Sequence, residues 1–194
     1  MNTLYTSYLL LGLAGVLALL LLFLWKTYNG LVALRNSLRS AWSDIDVQLG
    51  RRHDLVPSLV AAVKGYMSHE RSTLEAVTQA RASAMQTGGN IASRGMAELA
   101  LGSAVGNLLA AAERYPQLKA SENFLLLQEQ ITSTENRIAC ARQHFNDTVR
   151  RFNTAIAEFP KNVVANALGF RPEQMFAADA GEREPVPVRL RSSA

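Results

Sequence analysis

Three histidines, a single cysteine and sixteen carboxylates are the side chains with which this chain could do chemistry, and their spacing limits what that chemistry can be. His69-Glu70 opens like the helical motif in which two histidines one turn apart hold zinc while the glutamate acts as base. The second ligand position is occupied by Thr73, so a metal is not expected there. His53 and His144 lie in other segments, and no cysteine or carboxylate cluster joins either at ligand spacing. Asp44 and Asp46 are two apart, which on a helix puts them on different faces rather than side by side as an acid and base. Gly88-Gly89 lacks the Lys and Ser or Thr that complete a phosphate loop, and there is no Gly-x-Ser-x-Gly elbow. Cys140 has no basic partner visible in the sequence, and alone it can form no internal disulfide. The chain is therefore expected to be no enzyme, with no cofactor, no metal and no small-molecule substrate.

Polar residues nevertheless gather at two places. Asp44, Asp46, Arg51, Arg52, His53 and Asp54 crowd one stretch, and Glu135, Asn136, Arg137, Arg142 and Asn146 another. Salt-bridged layers inside a bundle would explain both, and a partner-docking surface is the other reading. The net charge of +4 is spread along the 194 residues without the dense basic, aromatic-interleaved clusters that a phosphate backbone attracts, so nucleic acid is not expected as a partner.

The elements that position these residues start from an apolar run. Asn2 to Trp25 carries no charged side chain and is dominated by leucine from Leu9 to Leu24. A helix needs about 20 apolar residues to cross roughly 30 Å of hydrocarbon. The span is placed at residues 5–25 within an anchor 1–25, with Tyr5, Tyr8, Trp25 and Lys26 at the membrane interfaces. A cleaved signal peptide would have a basic start and small residues at its end, whereas this run ends Phe23-Leu24-Trp25-Lys26. Lys26, Arg35 and Arg39 follow the span and nothing basic precedes it, which predicts the amino terminus outside and the remainder in the cytoplasm.

Beyond Lys26 the apolar residues fall three or four apart: Leu31, Leu34, Leu38, Trp42, Ile45 and Leu49 form one stripe. The membrane helix is expected to continue as a single rod, about 67 Å long from Tyr5 to Leu49, and to end at Gly50. A turn at Gly50 to His53, with Asp54 as cap and Pro57 in the first turn, would start a second helix that fades at Gln86 to Asn90. A third helix is predicted from about Ala92 to Arg114, stopped by Tyr115-Pro116, with Gly102 and Gly106 as a bare patch for close approach. The fourth carries a heptad seam, Phe124, Ile131, Ile138, Phe145, Phe152 and Phe159, and is predicted to end at Phe159-Pro160. A second row, Gln128, Glu135, Arg142, Val149 and Ile156, is polar in its first half and apolar in its second. An exposed helix face and a buried pair that sets register both fit its Glu135 and Arg142. Whether the seam is filled from within the chain or by another molecule stays open. A short helix is predicted over 162–168, and the mixed charge, proline and small residues of 177–194 read as disordered. The fold class is thus all-α: an amino-terminal transmembrane helix running into an antiparallel, coiled-coil-like four-helix bundle over 26–160, with a short extension over 161–176.

Tyr28-Asn29-Gly30-Leu31-Val32-Ala33-Leu34-Arg35-Asn36, Ala41-Trp42-Ser43-Asp44-Ile45-Asp46-Val47-Gln48-Leu49, Arg51-Arg52-His53-Asp54-Leu55-Val56-Pro57, Tyr115-Pro116-Gln117-Leu118-Lys119-Ala120 and Thr134-Glu135-Asn136-Arg137-Ile138 together resemble the LemA family of bacterial membrane proteins. The resemblance covers about Leu24 to Phe176. It departs at Gly50, where the family usually has Lys, and at Phe145, where Tyr is common. What it implies is a single amino-terminal span, a cytoplasmic antiparallel bundle and no established catalysis. It also implies a structural role by analogy, since some relatives are associated with forming internal membranes, as in magnetosome formation.

The expected function is a non-enzymatic scaffold anchored in the bacterial plasma membrane, which self-assembles there and organises or remodels it. Its partners would be lipid and further copies of itself. The alternative is a tethered adaptor that docks a membrane protease, sensor or secretion component. Gly102, Gly106, Asp44, Asp46, Arg51, Arg52, Glu135 and Arg142 are the candidate self-association or docking residues.

Overall fold

The computed structural model describes residues 2–176, with side chains from Tyr8 onward. The Tyr5 side chain and the 177–194 tail lie outside the described residues. All regular structure among the described residues is helical, and the fold is an all-α bundle. Its elements are α1 (Asn2–Lys64), α2 (Arg71–Gln86), α3 (Ile91–Ala112), α4 (Pro116–Lys119), α5 (Glu122–Ala157) and α6 (Lys161–Ala167).

Helix α1 corrects one expectation. It does not stop at Gly50 but passes through both Gly50 and Pro57 to Lys64. A mid-helix glycine costs about 1 kcal/mol and a proline about 3 kcal/mol. Against this, Ile45, Leu49, Val56, Leu59 and Val63 are all fully buried, each contributing about 1.5–3 kcal/mol. Their spacing of three and four stays in phase through Gly50 only because Arg52 fills the core position between Leu49 and Val56. Proline at 57 leaves the His53 carbonyl without its helical donor, and the Arg81 Nε–H of α2 donates to it at 2.8 Å instead. The chain reverses at 65–70 rather than at 50–53. There the Met67 amide donates to the Val63 carbonyl at 2.9 Å, and the Met67 side chain is fully buried.

The other boundaries follow local chemistry. Asn90 caps α3, its side chain accepting from the Ser93 amide at 2.7 Å, and Tyr115-Pro116 separates α3 from α4. Five seam residues, Phe124, Ile131, Ile138, Phe145 and Phe152, are buried within the chain. Phe159 is not. It lies beyond the end of α5 and is 82% exposed, because the helix stops at Ala157 and the seam's register no longer applies.

Two compact units divide the chain. In the first, residues 1–43 and 143–173, α1 contributes Leu31, Leu38 and Ala41, and α5 and α6 contribute Phe145, Val149, Phe152, Val164 and Ala165. Trp42 meets Phe145 edge-on, with ring centroids 5.4 Å apart. Asn153 pins the extension by donating to the Glu173 carbonyl and accepting from its amide, both at 2.9 Å. From Tyr8 to Leu24 the large apolar side chains of α1 are exposed, Leu9 to Leu22 at 52–72%. A leucine surface of that length, uncovered among the described residues, is a lipid-facing surface.

In the second unit, residues 44–142 and from 174, α1, α2, α3 and α5 share one core. Val56, Leu59 and Val63 meet Val77 and Ala84, Leu101, Val105 and Leu108, and Phe124 and Ile131. Helix α3 is also long and apolar enough to cross a membrane by length and composition. Its Leu101 and Leu108 are buried in this core, however, and it carries the buried Glu98.

Candidate functional site

One α1 stripe position and one α3 stripe position are charged, and they meet. Arg52 and Glu98 are each 2% exposed. Arg52 Nη2 donates to the Glu98 carbonyl at 2.9 Å and to the Glu98 carboxylate, and Nη1 donates to both Glu135 oxygens at 2.9 and 3.0 Å. Three helices are therefore joined through one guanidinium, whose planar fork suits several acceptors. His53 Nε2 lies 3.0 Å from the other Glu98 oxygen, close enough for charge interaction but not aligned as a hydrogen bond.

Burial pushes the Glu98 carboxyl up, but contacts with His53 and Arg52 and their charges outweigh that push, and the group is held below its ordinary value of 4.5. A carboxylate so stabilised suits holding Arg52 rather than donating a proton at neutral pH. Gly102 follows Glu98 by one turn. A Cβ there would sit 3.2 Å from Arg52 Nη1 and 3.7 Å from Glu135 Oε2, so glycine gives the guanidinium its room. Beside the node is a cavity of about 220 Å3 reached by Arg142 and Phe176. It is smaller than the roughly 300–1,000 Å3 of typical small-molecule sites. Among the described residues no three His, Cys, Asp or Glu side chains converge to hold a metal. Glu98 and Glu135 converge on Arg52 instead.

The predicted residues thus separate. Arg52, Glu135 and Gly102 come together at the node, with Arg142 on its cavity. Asp46 instead pairs with Arg94 at 2.7 Å. Arg51 is exposed, and Gly106 is exposed with open space where a Cβ would be. Asp44 lines a different feature, an open groove of about 910 Å3 between α1 and α5. Val47 and Leu125 stand 63% and 49% exposed in it, among Glu129, Arg137 and Cys140. Glu98 was missed by sequence reasoning. The available signal was its place three residues before Leu101 in the stripe Leu101, Val105, Leu108.

An exposed apolar helix long enough to span a bilayer, joined to an all-α bundle with a charged node in its core, defines a membrane-associated helical protein. Residues 41–190 match the LemA family model, a stretch that contains every member of the node, and the chain belongs to the LemA family. It is similar to the magnetosome protein MamQ of Magnetospirillum gryphiswaldense, with 23% identity over 82% of this chain and 68% of the relative. Magnetosome protein MamQ 2 of Paramagnetospirillum magneticum matches with the same identity and coverage. Protein LemA of Metamycoplasma hominis is 28% identical over 81% of this chain and 72% of the relative.

Proposed function

We propose that this protein is a non-enzymatic scaffold, anchored in the bacterial plasma membrane with its bundle in the cytoplasm, that associates with copies of itself through the α1–α5 groove. The observation that carries the reading is the groove itself. Exposed Val47 and Leu125 lie there among Asp44, Glu129 and Arg137. An isologous interface pairs a patch with its own copy, so a patch carrying both charge signs and apolar surface can complement itself, and this groove has them. Anchoring copies in one plane raises their effective concentration, so weak contacts suffice. Lys26, Arg35 and Arg39 after the span support the orientation. Relatives named as magnetosome proteins fit a part in building a cellular structure.

The test uses Cys140, which is exposed in the groove. A bifunctional maleimide added to membranes carrying the full chain is expected to give dimers, which Leu125→Arg abolishes. Monomers only, or dimers indifferent to Leu125→Arg, would reject self-association through this face. Stoichiometric capture of one different membrane protein by a monomeric chain would favour the adaptor reading.

A further inference from the structure

Where α1 leaves its lipid-facing stretch, the first unit contains a crevice of about 440 Å3. Its apolar walls include Phe23, Leu31, Leu34 and Ala155, and its charges are Lys26 and Lys161. The volume lies in the range of typical ligand sites, about 300–1,000 Å3. Because Ala155 and Lys161 line the same crevice as Phe23 and Lys26, the α5–α6 corner stands beside α1 at the level where the span ends. Lys26 has no carboxylate partner among the described residues. Lys161 Nζ is 3.4 Å from Glu158 Oε2 in an exposed pair of the kind that contributes little and exchanges readily.

The same corner presents apolar side chains that stand exposed among the described residues. Phe159 is 82% exposed and Val163 61%, on either side of Lys161. In water these would be an unexplained apolar patch. Beside the end of a membrane span they continue its lipid-facing surface, with lysines at the depth of the headgroups.

We propose that this crevice binds one anionic phospholipid. Its phosphate sits between Lys26 and Lys161, an acyl chain lies against Phe23 on the bilayer side of Lys26, and Phe159 and Val163 enter the bilayer surface alongside. The site rests on the membrane-anchored part of the functional reading and not on self-association. An aromatic and two lysines in contact with lipid would fix the rotation of α1 about its axis as well as its depth. Gly30 keeps the crevice open: a Cβ there meets nothing within 4 Å, so a larger side chain at 30 grows into empty space.

Native mass spectrometry of the detergent-released full chain, offered phosphatidylglycerol, phosphatidylcholine or inorganic phosphate in turn, tests this. Retention of phosphatidylglycerol alone is expected, with loss in the Lys26→Gln/Lys161→Gln variant. Gly30→Leu should also lose it while keeping both lysines, and since leucine favours helix over glycine that variant folds. Equal retention of phosphatidylcholine, binding of inorganic phosphate alone, or unchanged phosphatidylglycerol binding in both variants would overturn the site. A nitroxide at Phe159→Cys, in a Cys140→Ala background in vesicles containing phosphatidylglycerol, should resist a water-soluble reductant. Rapid reduction would overturn the insertion of the corner. Cross-linking through the groove is read separately, so failure of the lipid site and failure of self-association are distinguishable.

Discussion

Replacing Arg52 with methionine keeps an unbranched, largely apolar stem, shorter than arginine, and removes the charge and every donor. Glu98 then loses its guanidinium partner while its side chain remains only 3% exposed, and Glu135 loses both of its bonds. Breaking a buried ion pair by deleting one partner costs about 3–5 kcal/mol, because the remaining charge is left desolvated. One kcal/mol moves the midpoint of a chain of this size by about 2–4 °C, so Arg52→Met should melt roughly 6–20 °C earlier. Thermal unfolding of the full chain in detergent, followed by far-UV circular dichroism, reads this. Adding Glu98→Leu removes the stranded carboxylate and should restore most of the loss, since apolar replacements of buried pairs are often neutral or stabilising. A shift under about 2 °C for Arg52→Met, or no recovery in the double variant, would refute the claim that the node holds three helices together.

Other outcomes follow from the same geometry. Glu98 unfolded binds its proton near 4.5 and folded only at lower pH, so its contribution is fully present above 4.5 and is lost as pH falls through the folded value. Glu98→Gln should flatten that acid limb in a series of melts. Arg81→Ala leaves the His53 carbonyl unpartnered at a cost of about 1–3 kcal/mol. Pro57→Ala restores the helical donor, so the double variant should recover in chemical denaturation, and additive losses would refute the link. Gly102→Ala and Gly106→Ala should differ in sign. The first crowds Arg52 and lowers the midpoint, whereas the second fills open space on an exposed helix face and gains about 1 kcal/mol.

All of the charged node except Glu98 was legible in the sequence. Arg52, His53 and Glu135 stood out as charges crowded beside apolar stripes, and Gly102 as a bare patch. Glu98 did not stand out, because a single carboxylate in an alanine- and leucine-rich helix carries no local mark of burial. The groove was legible at Asp44, Asn136 and Arg137, but not at Val47 and Leu125, whose exposure no local pattern records.

What the sequence by itself determined is what near neighbours decide. The apolar run to Trp25, the spacing by three, four and seven, the breakers at Gln86 to Asn90 and the stops at Tyr115-Pro116 and Phe159-Pro160 act within a turn or two of chain. They placed α3, α5 and α6 within a few residues. Tertiary structure alone decided whether Gly50 and Pro57 would break α1, because the answer depends on Arg81, 28 residues from the His53 carbonyl to which it donates. It alone decided which charges enter the core, since Arg52 finds Glu98 and Glu135 across separations of 46 and 83 residues. Burying an arginine is tolerable only when distant acceptors converge on it, and no local pattern records that convergence.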